Sequence, residues 1–514
     1  MQRLKSLTTT DMMAGLIILL SGLIRLIQYG FNRSLWGDEA TIALNIINRS
    51  YGELLQPLDY GQGAPIGFLW VEKLSTQLFG INEYSLRLFP LLAGLATMPL
   101  MYVAVRRYTK GAAVLVALAM VGFLPSFIYF STEVKQYATD AALTLACLLL
   151  VQQTESKFTF RGQAIIFALL GSAAVWFSHP AVFVLAGAAV GSLLKWTQKG
   201  FKLSRSLVTR LGIYLSWFTS FGLFYIFSLQ DLGSNDLLKS SWQKKGAFLG
   251  PDENVFEALV WMLDRLGRSF HEPLELVGPW DGVAIAFFLL GCFTLYRRRE
   301  LGMVLFPILF TLLAACIQKY PFSGRLVFFL MPLLILGVAL GVDLLIRNRN
   351  IYGRALGIGL ASLVIFQPLT TALPQLYTPH LREEIRPVIE YIQTHQQEND
   401  TLYVYQSGQP QFLFYTDRFG YTPDDYILGI DDLDAYDGKG VSPEERERYL
   451  RDLDQLRGNP RVWVLFSHAW VADENNLVFD YINCLGTELD SYQDTGAFVY
   501  LYDFSQANRQ CPQG

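Results

Sequence analysis

The chain has 514 residues, of which 52% are hydrophobic and 14% aromatic, while Asp, Glu, Lys and Arg together reach only 17%, against about 25% in a typical soluble domain. A single water-soluble core is excluded as a home for that mixture, and with 41 basic and 45 acidic residues the formal charge of −4 points to no nucleic-acid partner. Cys147, Cys292, Cys316, Cys484 and Cys511 lie far apart with no pair at metal-ligand or redox-motif spacing, which speaks against both a disulfide framework and a zinc ribbon.

Hydrocarbon offers a backbone no hydrogen-bond partner except its own helix, so a bilayer is crossed by about 20 mostly apolar helical residues. Taken in chain order, about eleven stretches qualify, roughly at 12–30, 86–105, 112–130, 137–152, 163–178, 180–195, 208–229, 281–296, 301–317, 325–346 and 353–372. Ser34-Leu35-Trp36 after the first is no small-residue cleavage site, and many spans follow. The first stretch therefore reads as a retained anchor rather than a signal peptide.

Loop charges set the direction. If Met1 is cytoplasmic, the inner loops hold Arg3 and Lys5; Arg106, Arg107 and Lys110; Lys157 and Arg161; Lys195, Lys199, Lys202, Arg205 and Arg210; Arg297, Arg298 and Arg299; and Arg347, Arg349 and Arg354. Only Glu155 and Glu300 are clear acids there, while the short outer turns carry just Lys135 and Lys319. The bias of Lys and Arg toward the cytoplasm predicts an inside N-terminus, and eleven crossings then put the C-terminal region outside.

Two outer loops are long, about 31–85 and about 230–280, and the second contains Asp231, Asp236, Trp242, Lys244, Lys245, Asp252, Glu253 and His271. Long loops in a compact fold are more often functional than idle. Segments 41–49 and 66–78 of the first have helical periodicity and are expected to lie along the membrane surface. After Pro374 the composition turns soluble. Segment 380–397 reads as a helix with Ile385, Val388, Ile389 and Ile392 on one stripe, and 401–405, 461–466 and 496–502 read as strands. The expected fold is an α-helical polytopic membrane protein (residues 1–374) followed by a small α/β domain (375–514) outside the cytoplasm. No Gly-rich phosphate loop opens a helix of that domain, so nucleotide binding finds no support.

Residues able to carry chemistry gather on the outer side of this topology. Ser34-Leu35-Trp36-Gly37-Asp38-Glu39-Ala40 follows the first span. Two carboxylates beside a Trp suit a general base, and Asp38 equally suits a cap on a helix starting near Glu39. Between the third and fourth spans, Glu133, Gln136, Tyr137 and Asp140 follow i, i+3, i+4, i+7 spacing, beside Lys135. That spacing predicts one helical face, either a polar site or a helix entry with an interfacial Lys. His179-Pro180 breaks the apolar run 163–195, and a lone His there is more often structural than catalytic. Arg325, and Arg25 near the outer end of the first span, could each anchor an interface or grip a phosphate with a fixed fork of donors. Acid, amide, imidazole and guanidinium groups at one leaflet would suit a substrate with an anionic head and a lipid tail.

Over about residues 10–370 the pattern resembles the polyprenyl-phosphate-sugar-dependent glycosyltransferases of the C-type superfamily (GT-C), close to bacterial relatives of protein O-mannosyltransferases. The resemblance rests on Arg25-Leu26, Leu35-Trp36-Gly37-Asp38-Glu39-Ala40, Ala64-Pro65-Ile66-Gly67-Phe68-Leu69-Trp70, Leu78-Phe79-Gly80, Ser85-Leu86-Arg87-Leu88, the segment from Ser131 to Tyr137, and Gly324-Arg325 with Pro332. It implies that Asp38 is the catalytic carboxylate activating an acceptor hydroxyl, with Glu39 in support. It also implies that Lys135, Tyr137 and Arg325 bind the donor phosphate, with Glu133 and His179 as further substrate-binding candidates. No metal is required, although Asp38 and Glu39 could hold a divalent ion. The implied partners are a polyprenyl-phosphate-linked sugar, an unnamed glycan, lipid or protein acceptor, and the bilayer, in a bacterial plasma (inner) membrane. Gln62-Gly63-Ala64-Pro65 departs from the His-Pro-Pro of many relatives, and from the Glu-Lys pair that precedes the Pro in aminoarabinose transferases of lipid A, which leaves the sugar open. The competing reading is a transporter or flippase of lipid-linked sugars, with the same polar groups lining a pathway; no repeat of one half in the other supports it.

Overall fold

The computed structural model describes residues 8–155, 162–197, 204–230, 236–250, 252–430, 442–468, 472–506 and 511. Arg3, Lys5, Lys157, Arg161, Lys199, Lys202 and Asp231 lie outside the described residues. Two compact units are present: one made of Met1–Phe31, Tyr51–Pro57 and Gly63–Pro379, the other of Asn32–Ser50, Leu58–Gln62 and His380–Gly514. The single boundary expected near residue 374 thus becomes a discontinuous division, because pieces of the first long loop fold with the C-terminal residues.

The first unit is helical: α1 Thr9–Gly30, then, after α2 of the second unit (Gly37–Asn48), α3 Ile66–Phe79, α4 Glu83–Arg106, α5 Ala113–Phe123, α6 Pro125–Tyr129, α7 Tyr137–Thr154, α8 Gln163–Phe177, α9 Ala181–Thr197 and α10 Arg205–Phe224. After these come α11 Asp236–Lys244, α12 Val255–Arg268, α13 Pro279–Arg297, α14 Leu301–Cys316, α15 Met331–Ile346 and α16 Ile351–Ala372. All eleven expected stretches are largely helical. Among the described residues, six helices are long and apolar enough to cross a membrane, or seven with one bent pair, and three further apolar helices are shorter. The protein is a multi-pass membrane protein. At its centre, every residue of α15 from Met331 to Asp343 is buried, as expected of a helix that is apolar all round.

The expected span 112–130 is the bent pair, turning by 59° between α5 and the helical stretch Pro125–Thr132. Pro125 supplies no N–H and forces Leu124 into an extended conformation (ψ 132°), so the last carbonyls of α5 lose their helical partners. Arg25 replaces them. Its guanidinium, fully buried, donates to the Val121 carbonyl at 2.9 Å, the Gly122 carbonyl at 3.0 Å, the Ser21 carbonyl and hydroxyl, and the Ser131 hydroxyl at 3.1 Å. Of the two roles open to Arg25 in the sequence, interface anchor or phosphate grip, it performs neither.

The second unit contains α2, α17 (Ile385–His395), α18 (Gln409–Phe419), α19 (Pro443–Asp454), α20 (Ala472–Leu485) and a five-stranded sheet. Strands β1 (Thr401–Val404), β2 (Ile427–Leu428), β3 (Val462–Ser467), β4 (Thr487–Asp494) and β5 (Ala497–Asp503) lie in the order β2-β1-β3-β5-β4. The first three are parallel and the last two antiparallel to their neighbours, with Val464 opposite both Tyr403 and Tyr500. Central β3 is wholly buried. Three of the five strands fall where apolar runs predict them, while β2 and the polar edge strand β4 do not. Cys484 and Cys511 form one disulfide, where the spacing of the cysteines spoke against a disulfide framework.

Candidate functional site

In the second unit, residues 34–37 are held amide by amide. The Ser34 N–H donates to the Glu384 carboxylate at 3.0 Å, the Leu35 N–H to the Tyr415 hydroxyl at 2.9 Å, and the Gly37 N–H to Glu383 Oε2 at 2.7 Å. The Trp36 N–H turns back to Glu39 Oε2 at 3.4 Å. Helix α2 therefore begins at Gly37, and the carboxylate reaching back to its start is that of Glu39, which is fully buried. This corrects the capping alternative for Asp38. Glu39 closes the helix start, and Asp38, one residue inside, is left half-buried with its Oδ1 accepting from Gln62 Nε2 at 3.2 Å.

The support around Asp38 extends through Glu383. Its Oε2 also accepts from Gln411 Nε2 at 2.9 Å, and its Oε1 lies 2.6 Å from His468 Nδ1. Burial opposes the charged imidazolium of His468, but the hydrogen bond and charge of Glu383, with the charge of Asp38, outweigh it and hold the His468 pKa above its ordinary value. A Cβ on Gly37 would sit 3.2 Å from the His468 ring, tighter than side chains normally pack. The Trp36 ring lies beneath the Arg382 guanidinium at 4.4 Å and beside the His468 ring at 6.0 Å. His468 follows the carboxyl end of β3, where open α/β sheets place their ligand-binding groups.

In the first unit, Glu133, Lys135 and Tyr137 are buried at the bend that precedes α7. Because α7 begins at Tyr137, Glu133 lies in extended backbone before it (φ −115°, ψ 138°). The expected four-residue helical face is thus reduced to Tyr137 and Asp140, with Gln136 at the N-cap donating to the Gly63 carbonyl at 3.4 Å. Arg325, in the 3₁₀ stretch Gly324–Leu330, stacks its guanidinium over the Tyr137 ring at 5.7 Å, so two predicted phosphate-binding residues do meet. His179 packs on Phe224 with ring centroids 5.6 Å apart, and burial lowers its pKa to about 4, so it is a neutral imidazole at neutral pH. Among the described residues no group of three or more His, Cys, Asp or Glu side chains is arranged to hold a metal ion.

Residues 63–221 match the family model described as dolichyl-phosphate-mannose-protein mannosyltransferase, a stretch that includes Glu133, Lys135, Tyr137 and His179. No curated protein matches the chain significantly in sequence. Among solved structures, ArnT from Cupriavidus metallidurans in the apo state aligns with a TM-score of 0.50 and 14% identity over 96% of this chain and 99% of that one. The same enzyme bound to undecaprenyl phosphate aligns with a TM-score of 0.52 and 14% identity over 95% of this chain and 98% of that one. The chain has the GT-C glycosyltransferase fold.

The residues that sequence reasoning passed over are Arg382, Glu383, Glu384, Gln411, Tyr415 and His468. Two of them left a trace. Glu383-Glu384 is an adjacent acidic pair just ahead of an amphipathic helix, and His468 is a lone His at the end of an apolar strand. What they hold, a segment near the other end of the chain, left none.

Proposed function

We propose that the protein transfers a sugar from a polyprenyl-phosphate-linked donor to an acceptor hydroxyl on the extracytoplasmic side of a bacterial plasma membrane, with Asp38 as general base. The observation that carries this reading is the fixing of residues 34–37. The backbone amides of Ser34, Leu35 and Gly37 are bound by Glu384, Tyr415 and Glu383, so Asp38 projects from a rigid start of α2 rather than from a loose loop. The GT-C fold supports the reaction class, and the undecaprenyl phosphate bound to ArnT supports the carrier class.

The step is a single displacement. The acceptor oxygen bonds to the anomeric carbon as its proton passes to Asp38, and the bond from that carbon to the phosphate oxygen breaks. The polyprenyl phosphate leaves with the electron pair, and Arg325 and Lys135 are the proposed partners of its charge, since preorganised cations act strongly where water is excluded. Glu39, closing the helix start, supports Asp38 by position alone. His179, neutral and packed on an aromatic ring, is the weakest of the phosphate-binding candidates. The disulfide of the C-terminal unit supports the extracytoplasmic placement, since such bonds persist in oxidising compartments.

The test uses the purified full chain in detergent with a panel of radiolabelled polyprenyl-phosphate sugars, following release of polyprenyl phosphate. Release by the wild type and a loss of at least about 10³-fold in Asp38→Asn are expected. Undiminished release by Asp38→Asn removes Asp38 as the base.

A further inference from the structure

Helices α13 and α14 are consecutive and joined by only residues 298–300, yet they scarcely touch. Each is bound elsewhere by backbone-to-backbone packing at glycines. A Cβ on Gly291 of α13 would lie 1.9 Å from the Gly337 carbonyl of α15, and one on Gly341 of α15 would lie 1.9 Å from the Phe287 carbonyl of α13. On the other side, a Cβ on Gly187 of α9 would meet the Pro307 nitrogen of α14 at 2.3 Å, and one on Gly191 the Met303 nitrogen at 2.4 Å. Small residues permit this approach between membrane helices. With α13 drawn onto α15 and α14 onto α9, the two neighbours in sequence part, and a cleft is left along α14 beside the end of α13.

The cleft holds a cavity of about 870 Å³. Its wall is apolar, formed chiefly by Leu305, Phe306, Leu309 and Leu312 of α14 together with Leu266 of α12, while α13 contributes only Tyr296 and Arg297. Its near end is basic, lined by Lys195, Arg297 and Arg299. Lys195 lies between Glu155 at 2.9 Å and Glu300 at 2.7 Å. Arg297, Arg298 and Arg299 then give this end a positive excess, and all three are exposed.

Length selects among lipids. From Leu301 to Leu312 the wall rises about 16 Å, half of the ~30 Å hydrocarbon core and so the depth of one leaflet. An acyl chain of a single phospholipid fits that depth, and a phosphodiester at its head would meet the arginines, whose fork of donors suits phosphate oxygens. Basic pockets between transmembrane helices are known to receive anionic lipid heads.

We propose that this cleft is a site for one anionic phospholipid, drawn from the leaflet that residues 297–299 face, with an acyl chain along Leu305 to Leu312 of α14 and its phosphate on Arg297 and Arg299. The site does not depend on the sugar-transfer reading and shares none of its residues.

The test is native mass spectrometry of the full chain after exchange into mixed micelles of phosphatidylglycerol and phosphatidylcholine. Wild type is expected to keep one phosphatidylglycerol with at least a ten-fold preference. Arg297→Gln with Arg299→Gln, both on the surface, should abolish the preference, and Leu305→Trp should fill the cleft and abolish retention with the charges intact. Equal retention of the two lipids, or unchanged preference in the double variant, overturns the proposal. So does one-for-one displacement by undecaprenyl phosphate, which would assign the cleft to an isoprenoid chain.

Discussion

The Gly37 amide and the Glu383 carboxylate are joined at 2.7 Å across 346 residues of sequence. Through that bond, and through the same carboxylate's contact with His468, the immediate neighbour of Asp38 is positioned by the end of the chain. Replacing Glu383 by Ala should lower the turnover of lipid-phosphate sugar by about 10²-fold, through displacement of Asp38, while the KM for the donor changes little. Stability should fall by about 1–3 kcal/mol as the buried Gly37 N–H loses its acceptor. Steady-state kinetics beside thermal unfolding of the same preparation separates the two effects, and a normal turnover number would remove Glu383 from the positioning role.

The His468–Glu383 pair predicts a definite sign of pH dependence. Because the His468 pKa is raised in the folded protein, the pair's contribution is complete below the ordinary imidazole value of 6.5 and is lost as pH rises through the raised one. His468→Asn should therefore lower the melting temperature near pH 6, by the equivalent of about 1 kcal/mol for a partly exposed pair, and leave it unchanged near pH 9. A constant difference across that range would show that the imidazole acts only by packing.

Arg25 answers for carbonyls that Pro125 leaves without donors. Arg25→Met keeps most of the volume and none of the hydrogen bonds, so it should cost about 2–4 kcal/mol. Arg25→Lys, with a point charge in place of a fork, should recover only part of that loss. Thermal unfolding in a single detergent compares all three proteins, and equal stability of Arg25→Met would refute the role.

Glu72 of α3 is fully buried, and neither carboxylate oxygen finds a hydrogen-bond partner among the described residues. Burial pushes its pKa well above the ordinary carboxylate value of 4.5. The folded protein then keeps a proton that the unfolded chain releases above about pH 4.5, so stability falls as pH rises from there toward the raised value. Glu72→Gln, permanently neutral, should unfold at a higher temperature than wild type near pH 8, with the gap closing toward pH 4.5. Parallel curves would mean that the carboxylate is compensated.

How much of this was legible beforehand depends on range. Membrane helices, the acidic pair at residues 38–39 and the apolar strands follow from local composition, which the sequence displays directly. The bend at Pro125 was written in one residue, but the identity of the group repairing it was not, because Arg25 lies 96 positions from the Val121 carbonyl it binds. The spacing of Glu133 fits a helical face, but the backbone turns α-helical only at Tyr137. Strand β4 escaped because its residues, Thr-Glu-Leu-Asp-Ser-Tyr-Gln-Asp, belong to a mostly exposed sheet edge, where no apolar alternation is needed. The hold of Glu383, Glu384 and Tyr415 on residues 34–37 could not be read at all, since nothing local demands a partner that distant.

The discontinuity of the second unit also orders events during synthesis. Residues 32–50 leave the ribosome early, and the side chains that bind them follow about 350 positions later, a wait of roughly 20–70 s at 5–20 residues per second. Throughout that interval α2 has no sheet to lie with, and a chain cut short by a premature stop never acquires one. Competence is thereby tied to the arrival of the last quarter of the polypeptide, so truncated products carry the acidic pair but not the framework that aims it.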